Sequence, residues 1–195
     1  MKLLIKSLLA CAAFVGLPAC AEEVNGCPEG SYSIVVSPDG TTLSILFDKF
    51  AIESSPASSA AMPRKVCQIS SPLNLPANQS IGVYKVDYRG FAKLAVKQEA
   101  ELSVQYFLGP HGNQNGRDFK RKIKGAHEGD YFFTETIGAG QMKRVGCGTA
   151  AVLKVGITLQ LSGDRGAGEA MASVDSTDAA RSGAMVYHLN LKNCP

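Results

Sequence analysis

The sequence predicts an all-β protein: an antiparallel β-sandwich of jelly-roll or Greek-key type, with about nine strands and two disulfides. Three observations carry this. Apolar residues recur at every second position in stretch after stretch, no segment shows the 3.6-residue apolar spacing of an amphipathic helix, and four cysteines remain beyond the N-terminal leader.

The leader comes first. Lys2 and Lys6 precede the apolar run "SLLACAAFVGL" (Ser7 to Leu17), and small residues follow at Ala19 to Ala21. This is the pattern of a secretory signal peptide, residues 1–21, cleaved after Ala21. The run meets Pro18 and then Glu22 and Glu23, too early for the roughly 20 apolar residues of a transmembrane helix. "LPAC", ending at Cys20, resembles a bacterial lipobox, so the alternative to a secreted, extracellular protein is a periplasmic or lipid-anchored one held through Cys20. Residues 22–195 are then expected to form a single β-sandwich domain.

Along that domain, Tyr32 to Val36 reads as a strand, and "VSPDGT" reverses the chain, with Pro38 pre-set for the turn and Gly40 where a positive φ is wanted. Thr42 to Ile52 follows, apolar on both faces as a central strand would be. Lys65 to Ile69, Ser80 to Tyr88, Phe91 to Val96 and Asp130 to Ile137 are further candidates, each bounded by Gly, Pro, Asn or Ser. The clearest alternation is in Glu101 to Leu108, Ala151 to Leu161 and Met185 to Leu191, where Leu102, Val104, Tyr106 and Leu108, for example, oppose Glu101, Ser103 and Gln105. "ESSPASSAAMP" (Glu53 to Pro63) reads as a flexible connection.

Of the six cysteines, Cys11 and Cys20 belong to the leader; Cys27, Cys67, Cys147 and Cys194 remain. An even number in an exported chain favours disulfides. With no C-x-x-C pair and only three histidines, zinc-ligand spacing is missing, and neither metal nor cofactor is expected. Setting Ala151 to Leu161 and Ala184 to Cys194 side by side as antiparallel neighbours puts Ala151 opposite Cys194. That register predicts Cys147 with Cys194, and by elimination Cys27 with Cys67.

Candidate binding residues are few. Asp48 is a carboxylate between Phe47 and Phe50, exposed at a strand end or paired. Asp87 and Arg89 in "VDYRGF" alternate onto one face, able to clasp a carboxylate or sugar hydroxyls, or to form an ion pair. Asp175 and Asp178 in "VDSTD" make an oxygen-rich loop without the full alternation of a calcium loop. "GRDFKRKIKG" (Gly116 to Gly125) reads as an exposed basic loop or hairpin tip, with Lys120, Arg121 and Lys122 able to attract an anionic polymer. His188 falls on the polar face of its strand and reads as a lone exposed histidine. The net charge of +3 drops to +1 once Lys2 and Lys6 are removed, so bulk charge selects no partner, and nucleic acid is not expected.

Taken in order, "GCPEG", "SPDGTTLSILFDKF", "VDYRGFAKL", "YFLG", "CGT", "DSTD" and "YHLNLKNC" resemble the DUF4360 family of small secreted proteins of fungi and bacteria, from about Gly26 to Cys194. Members of that family often carry a Trp near the final Cys, where this chain has Leu191. The resemblance implies secretion but no catalytic residues, since the family is a domain of unknown function. Three classes of function follow: an extracellular module presenting loops to glycan or cell-surface ligands, a polysaccharide hydrolase using an Asp pair (Asp48 with Asp87, or Asp175 with Asp178), and an effector or inhibitor of another protein. Catalysis is the less expected outcome, because no nucleophile elbow, Walker loop or dinucleotide turn is present. The oligomeric state is open.

Overall fold

The computed structural model describes residues 26–59, 61–110, 116–174 and 185–195; the leader with its Ala21 cleavage site, Cys20, Asp175 and Asp178 lie outside the described residues. The fold is an antiparallel two-sheet sandwich, as expected, with twelve strands among the described residues where the sequence suggested about nine. They are β1 (Tyr32–Val36), β2 (Thr42–Phe47), β3 (Ala51–Ser54), β4 (Arg64–Leu73), β5 (Gln79–Leu94), β6 (Gln98–Gly109), β7 (Arg117–Lys124), β8 (His127–Thr136), β9 (Arg144–Gly146), β10 (Ala151–Gly163), β11 (Ala170–Ser173) and β12 (Met185–Asn193).

β4, β10, β6 and β7 form the smaller sheet in that order; the other strands form the larger one around β5. Ser80–Tyr88 and Phe91–Val96 are one strand, not two. Along one edge of β5, β12 pairs with residues 79–88 and β11 with 91–93; along the other, β9 pairs with 80–82 and β8 with 85–94. β2 lies beside β12 and β3 beside β11, so the segment read as one strand from Thr42 to Ile52 follows a single lane broken by a bend at residues 48–50. The late strands β10 and β12 insert between earlier ones in Greek-key manner.

The β1–β2 hairpin closes as the sequence implied. Gly40 N–H donates to Ser37 O at 2.8 Å with φ at +68°, and the Asp39 carboxylate accepts from Ser37 Oγ and from the N–H and hydroxyl of Thr41. Alternate residues of both sheets meet in one core, including Leu43, Ile45, Val86, Tyr88, Leu102, Val104, Leu153, Ile157, Met185 and Tyr187. Tyr106 of the small sheet packs edge-on against Tyr187 of the large one, ring centroids 5.8 Å apart. At the open edge Arg121 reaches from β7 to Glu135 on β8, and the same carboxylate accepts from Tyr88 Oη at 2.6 Å. Gly90 is dictated by contact: Tyr131 Oη donates to Ser173 O across it, and any Cβ there would sit 1.8 Å from that carbonyl oxygen.

Both predicted disulfides are present, Cys27–Cys67 and Cys147–Cys194, with Cα atoms 5.1 and 5.7 Å apart. The neighbourhood from which the second was derived is not. β10 lies in the small sheet between β4 and β6, whereas β12 lies in the large one between β2 and β5. What joins the two cysteines is the start of β5, where Cys147 N–H donates to Gln79 O and Cys194 N–H to Asn78 O. The crosslinks close loops of 40 and 47 residues, each stabilising by about 4 kcal/mol in the chain-entropy account. Reduction should therefore lower the melting temperature sharply. A calorimetric scan unchanged by a strong reductant would show that the bridges add nothing to the fold.

Candidate functional site

Each sheet turns one face to solvent, and the two faces differ in chemistry. On the large sheet, alternation in β5 sends Lys85, Asp87, Arg89 and Phe91 outward. Asp87 is the centre of a closed polar cluster. Thr134 Oγ1 donates to its Oδ1 at 2.6 Å, His188 Nε2 lies 2.7 Å from Oδ2, and Lys85 Nζ lies 2.8 Å from the same oxygen. The register dictates this: Asp87 is paired with Thr134 of β8, and Lys85 with His188 of β12. His188 is thus not a lone exposed residue. Its ring also lies 5.9 Å from that of Tyr84. Burial pushes the Asp87 carboxyl up, but the hydrogen bonds from Lys85, Thr134 and His188 outweigh it and hold the group below the ordinary carboxylate range. With its acceptors engaged, Asp87 is stabilised in place.

Arg89 shares that face but does not pair with Asp87. It stands opposite Phe132, and its Nε and Nη2 are enclosed without a hydrogen-bond partner among the described residues. Asp48 is exposed on the bend after β2, its N–H donating to Ser31 O. Strand spacing and rise hold Asp48 and Asp87 on the order of 15 Å apart, beyond the ~5 to 9.5 Å over which paired acids cleave glycosidic bonds.

The basic run is a strand, not a loop. β7 pairs with β6 from Tyr106↔Arg117 to Glu99↔Lys124, and its alternation divides the charges. Lys120 and Lys122 face outward on the small sheet, whereas Arg121 turns to the opposite side and meets Glu135. Consecutive cations, which looked like a solvated tip, hid a strand whose apolar beats are only Phe119 and Ile123.

The outer face of the small sheet holds an open groove of about 320 Å3, lined by Arg64, Glu101, Ser103, Gln105, Lys120, Gly156, Thr158 and Gln160. These residues align because register is strict. Gly156 stands between Gln68 and Gln105, and Thr158 between Val66 and Ser103 with Lys120 beyond. Lys122 Nζ holds both carboxylates of β6, Glu99 at 2.7 Å and Glu101 at 3.5 Å. At one end Phe107 is 37% exposed, and beside it lies a second hollow of about 290 Å3, lined also by Gln105, Gly116, Arg117 and Asp118.

Gly156 is the residue that motif reading missed. A glycine within a strand weakens it and usually marks a bulge or a close backbone approach. Here neither applies: β10 pairs without a break on both sides, and an added Cβ would meet only Gln105, at 3.9 Å. The missing side chain does one thing, which is to open the floor of the groove.

Because the folded pKa of Asp87 is depressed, its contribution to stability is present above the ordinary Asp range, about pH 4, and is lost as pH falls through the folded value. Asp87→Ala should cost about 1 to 3 kcal/mol at neutral pH. The gap from wild type in denaturant titrations should close below about pH 4. A gap that stays constant down to acid would remove the ionised cluster as its cause.

Comparison with known proteins places the chain. An uncharacterized secreted protein of Arthroderma benhamiae is 25% identical over 171 residues, covering 87% of this chain and 68% of that protein. Among solved structures, TmCBM61 in complex with β-1,4-galactotriose aligns over 85% of this chain and 84% of its own, at 12% identity and a TM-score of 0.30. The virus-like particle of Macrobrachium rosenbergii extra small virus aligns over 64% and 86%, at 11% identity and a TM-score of 0.20. At these scores neither structure bears on function. The model of DUF4360, a domain of unknown function, matches residues 24–194, and the chain belongs to that family.

Proposed function

We propose that the protein is an exported binding module that receives a segment of glycan along the outer face of its small sheet. The observation that carries the reading is Gly156, a strand glycine required by no contact, at the floor of a groove whose walls are amide, hydroxyl and charged side chains. Sugars present hydroxyls in ranks along a flat ring, and a shallow trough of Ser103, Gln105, Thr158 and Gln160 offers matching donors and acceptors. Phe107 at the end of the trough supplies an exposed ring for the apolar face of a sugar. The carboxylate lining the groove, Glu101, is held by Lys122, which supports binding over acid-pair hydrolysis. Export is supported by the leader pattern and by the secreted relative.

N-terminal sequencing of protein recovered from the medium should begin at Glu22. A lipid-modified Cys20 at the N-terminus would replace free secretion with a membrane anchor.

Gly156→Val tests the groove directly. Valine suits a strand better than glycine, so the melting temperature should hold or rise by up to about 4 °C. Retention on immobilised polysaccharides, surveyed by glycan array and affinity electrophoresis, should fall at least about tenfold, the equivalent of 1.4 kcal/mol. A variant that folds and binds like wild type would sink the assignment of this face.

A further inference from the structure

We infer that the polysaccharide taken by this groove is acidic, bearing anionic groups along its chain, and that Lys120 supplies a principal counter-charge. The inference rests on the glycan-binding reading of the face and specifies its ligand.

Alternation in three neighbouring strands sends a set of cations to one surface: Arg64 from β4, Lys154 from β10, and Lys120, Lys122 and Lys124 from β7. The acidic residues of the same surface are Glu99, Glu101 and Asp118, all on β6 and β7. They do not neutralise the cations evenly. Lys122 engages both Glu99 and Glu101, and Asp118 accepts from Ser103 Oγ at 3.4 Å. Among the described residues, the side chains of Lys120, Lys124 and Lys154 form no ion pair with any of these carboxylates. Lys120 is the one of the three that lines the groove. It stands level with Ser103 and Thr158; the Ser103 hydroxyl donates to Asp118, so an anion there would meet the Lys120 ammonium and the Thr158 hydroxyl.

Placing two of the three carboxylates on Lys122 has a physical consequence for Lys120, Lys124 and Lys154. A neutral chain can take only hydrogen bonds from Lys120, Lys124 and Lys154, whereas a polyanion is also attracted to their charge over the roughly 8 Å Debye length of physiological salt. An ammonium is a compact point charge and does not distinguish a carboxylate from a sulfate. The shared chemistry is therefore an anionic group repeated along a sugar chain.

The test uses the folded protein with polygalacturonate, its fully methyl-esterified neutral form, dextran sulfate, and vesicles of phosphatidylserine with phosphatidylcholine. Wild type should bind polygalacturonate or dextran sulfate, more weakly as salt rises, and whichever binds better identifies the anion. Lys120→Gln should weaken that binding by about 2- to 10-fold, the range that one or two exposed ion contacts supply, with an unchanged melting temperature. Gly156→Val should abolish it. If the esterified polymer binds as well as the acidic one and Lys120→Gln changes nothing, the charge inference fails and the glycan face stands. If no polysaccharide binds, both fail. If acidic polymers and anionic vesicles bind alike and Gly156→Val has no effect, the attraction is a property of the whole surface and the groove is not its site.

Discussion

The structure depends on the need of one long strand to satisfy its backbone on both edges. β5 runs from Gln79 to Leu94 through the middle of the large sheet. No single neighbour is long enough to cover it, so each edge is shared, β12 and β11 on one side, β9 and β8 on the other. An uncovered buried N–H or C=O would cost more than a hydrogen bond is worth. Short strands that could not stand alone are therefore recruited: β9 is three residues long and β11 four. Arg144 shows how strongly the first is held, its guanidinium donating to Ser80 Oγ, Ser80 O, Asn190 Oδ1 and Asn190 O across β5 and β12. The Cys147–Cys194 bridge closes the same end, beyond Gln79.

Period-two alternation is legible wherever one face of a strand is apolar and the other polar. β1 was located in full, and the inner faces of β6, β10 and β12 were read correctly. The failures have causes. β9 and β11 carry too few residues for a period to register. β7 alternates charge against charge at Lys120, Arg121 and Lys122, which hides its inner position. The β2–β3 lane looked continuous because Phe50 is buried in the bend itself, at 1% exposure, and so prolongs the apolar run. Neighbour choice lies outside what alternation encodes. β10 and β12 have equally good inner faces, and nothing in their own residues says that one belongs to each sheet. The correct disulfide followed from a wrong neighbourhood because both cysteines sit just beyond strands that converge on β5.

The candidate site was less legible than the fold, for a related reason. A polar strand face reads the same from sequence whether it meets water or a ligand. Ser103, Gln105, Thr158 and Gln160 are ordinary solvent-side residues until β4, β6, β7 and β10 are set side by side, and their order 4-10-6-7 is not the order of the chain. The signal present in the sequence was Gly156, a glycine within an otherwise regular apolar alternation. Only the open space above it separates a groove floor from a packing requirement. Asp87 and Arg89 were singled out together, yet Lys85, Thr134 and His188 satisfy the first, while Nε and Nη2 of the second have no hydrogen-bond partner among the described residues.

Gly90 and Gly156 make the division of the molecule concrete. Both lie inside long strands, where glycine costs roughly 0.5 to 1 kcal/mol relative to alanine. At Gly90 the cost is offset within the fold, because a side chain would collide with Ser173 O and displace the buried Tyr131 hydrogen bond. At Gly156 nothing in the fold offsets it; the backbone pairs on both sides and the space above is free. Stability that the fold forgoes without structural return is most economically explained by something outside the fold that needs the space. The same logic separates the two outer faces. On the large sheet the central carboxylate is closed off by three neighbours, while on the small sheet hydroxyls, amides and the Lys120 ammonium surround an opening at Gly156.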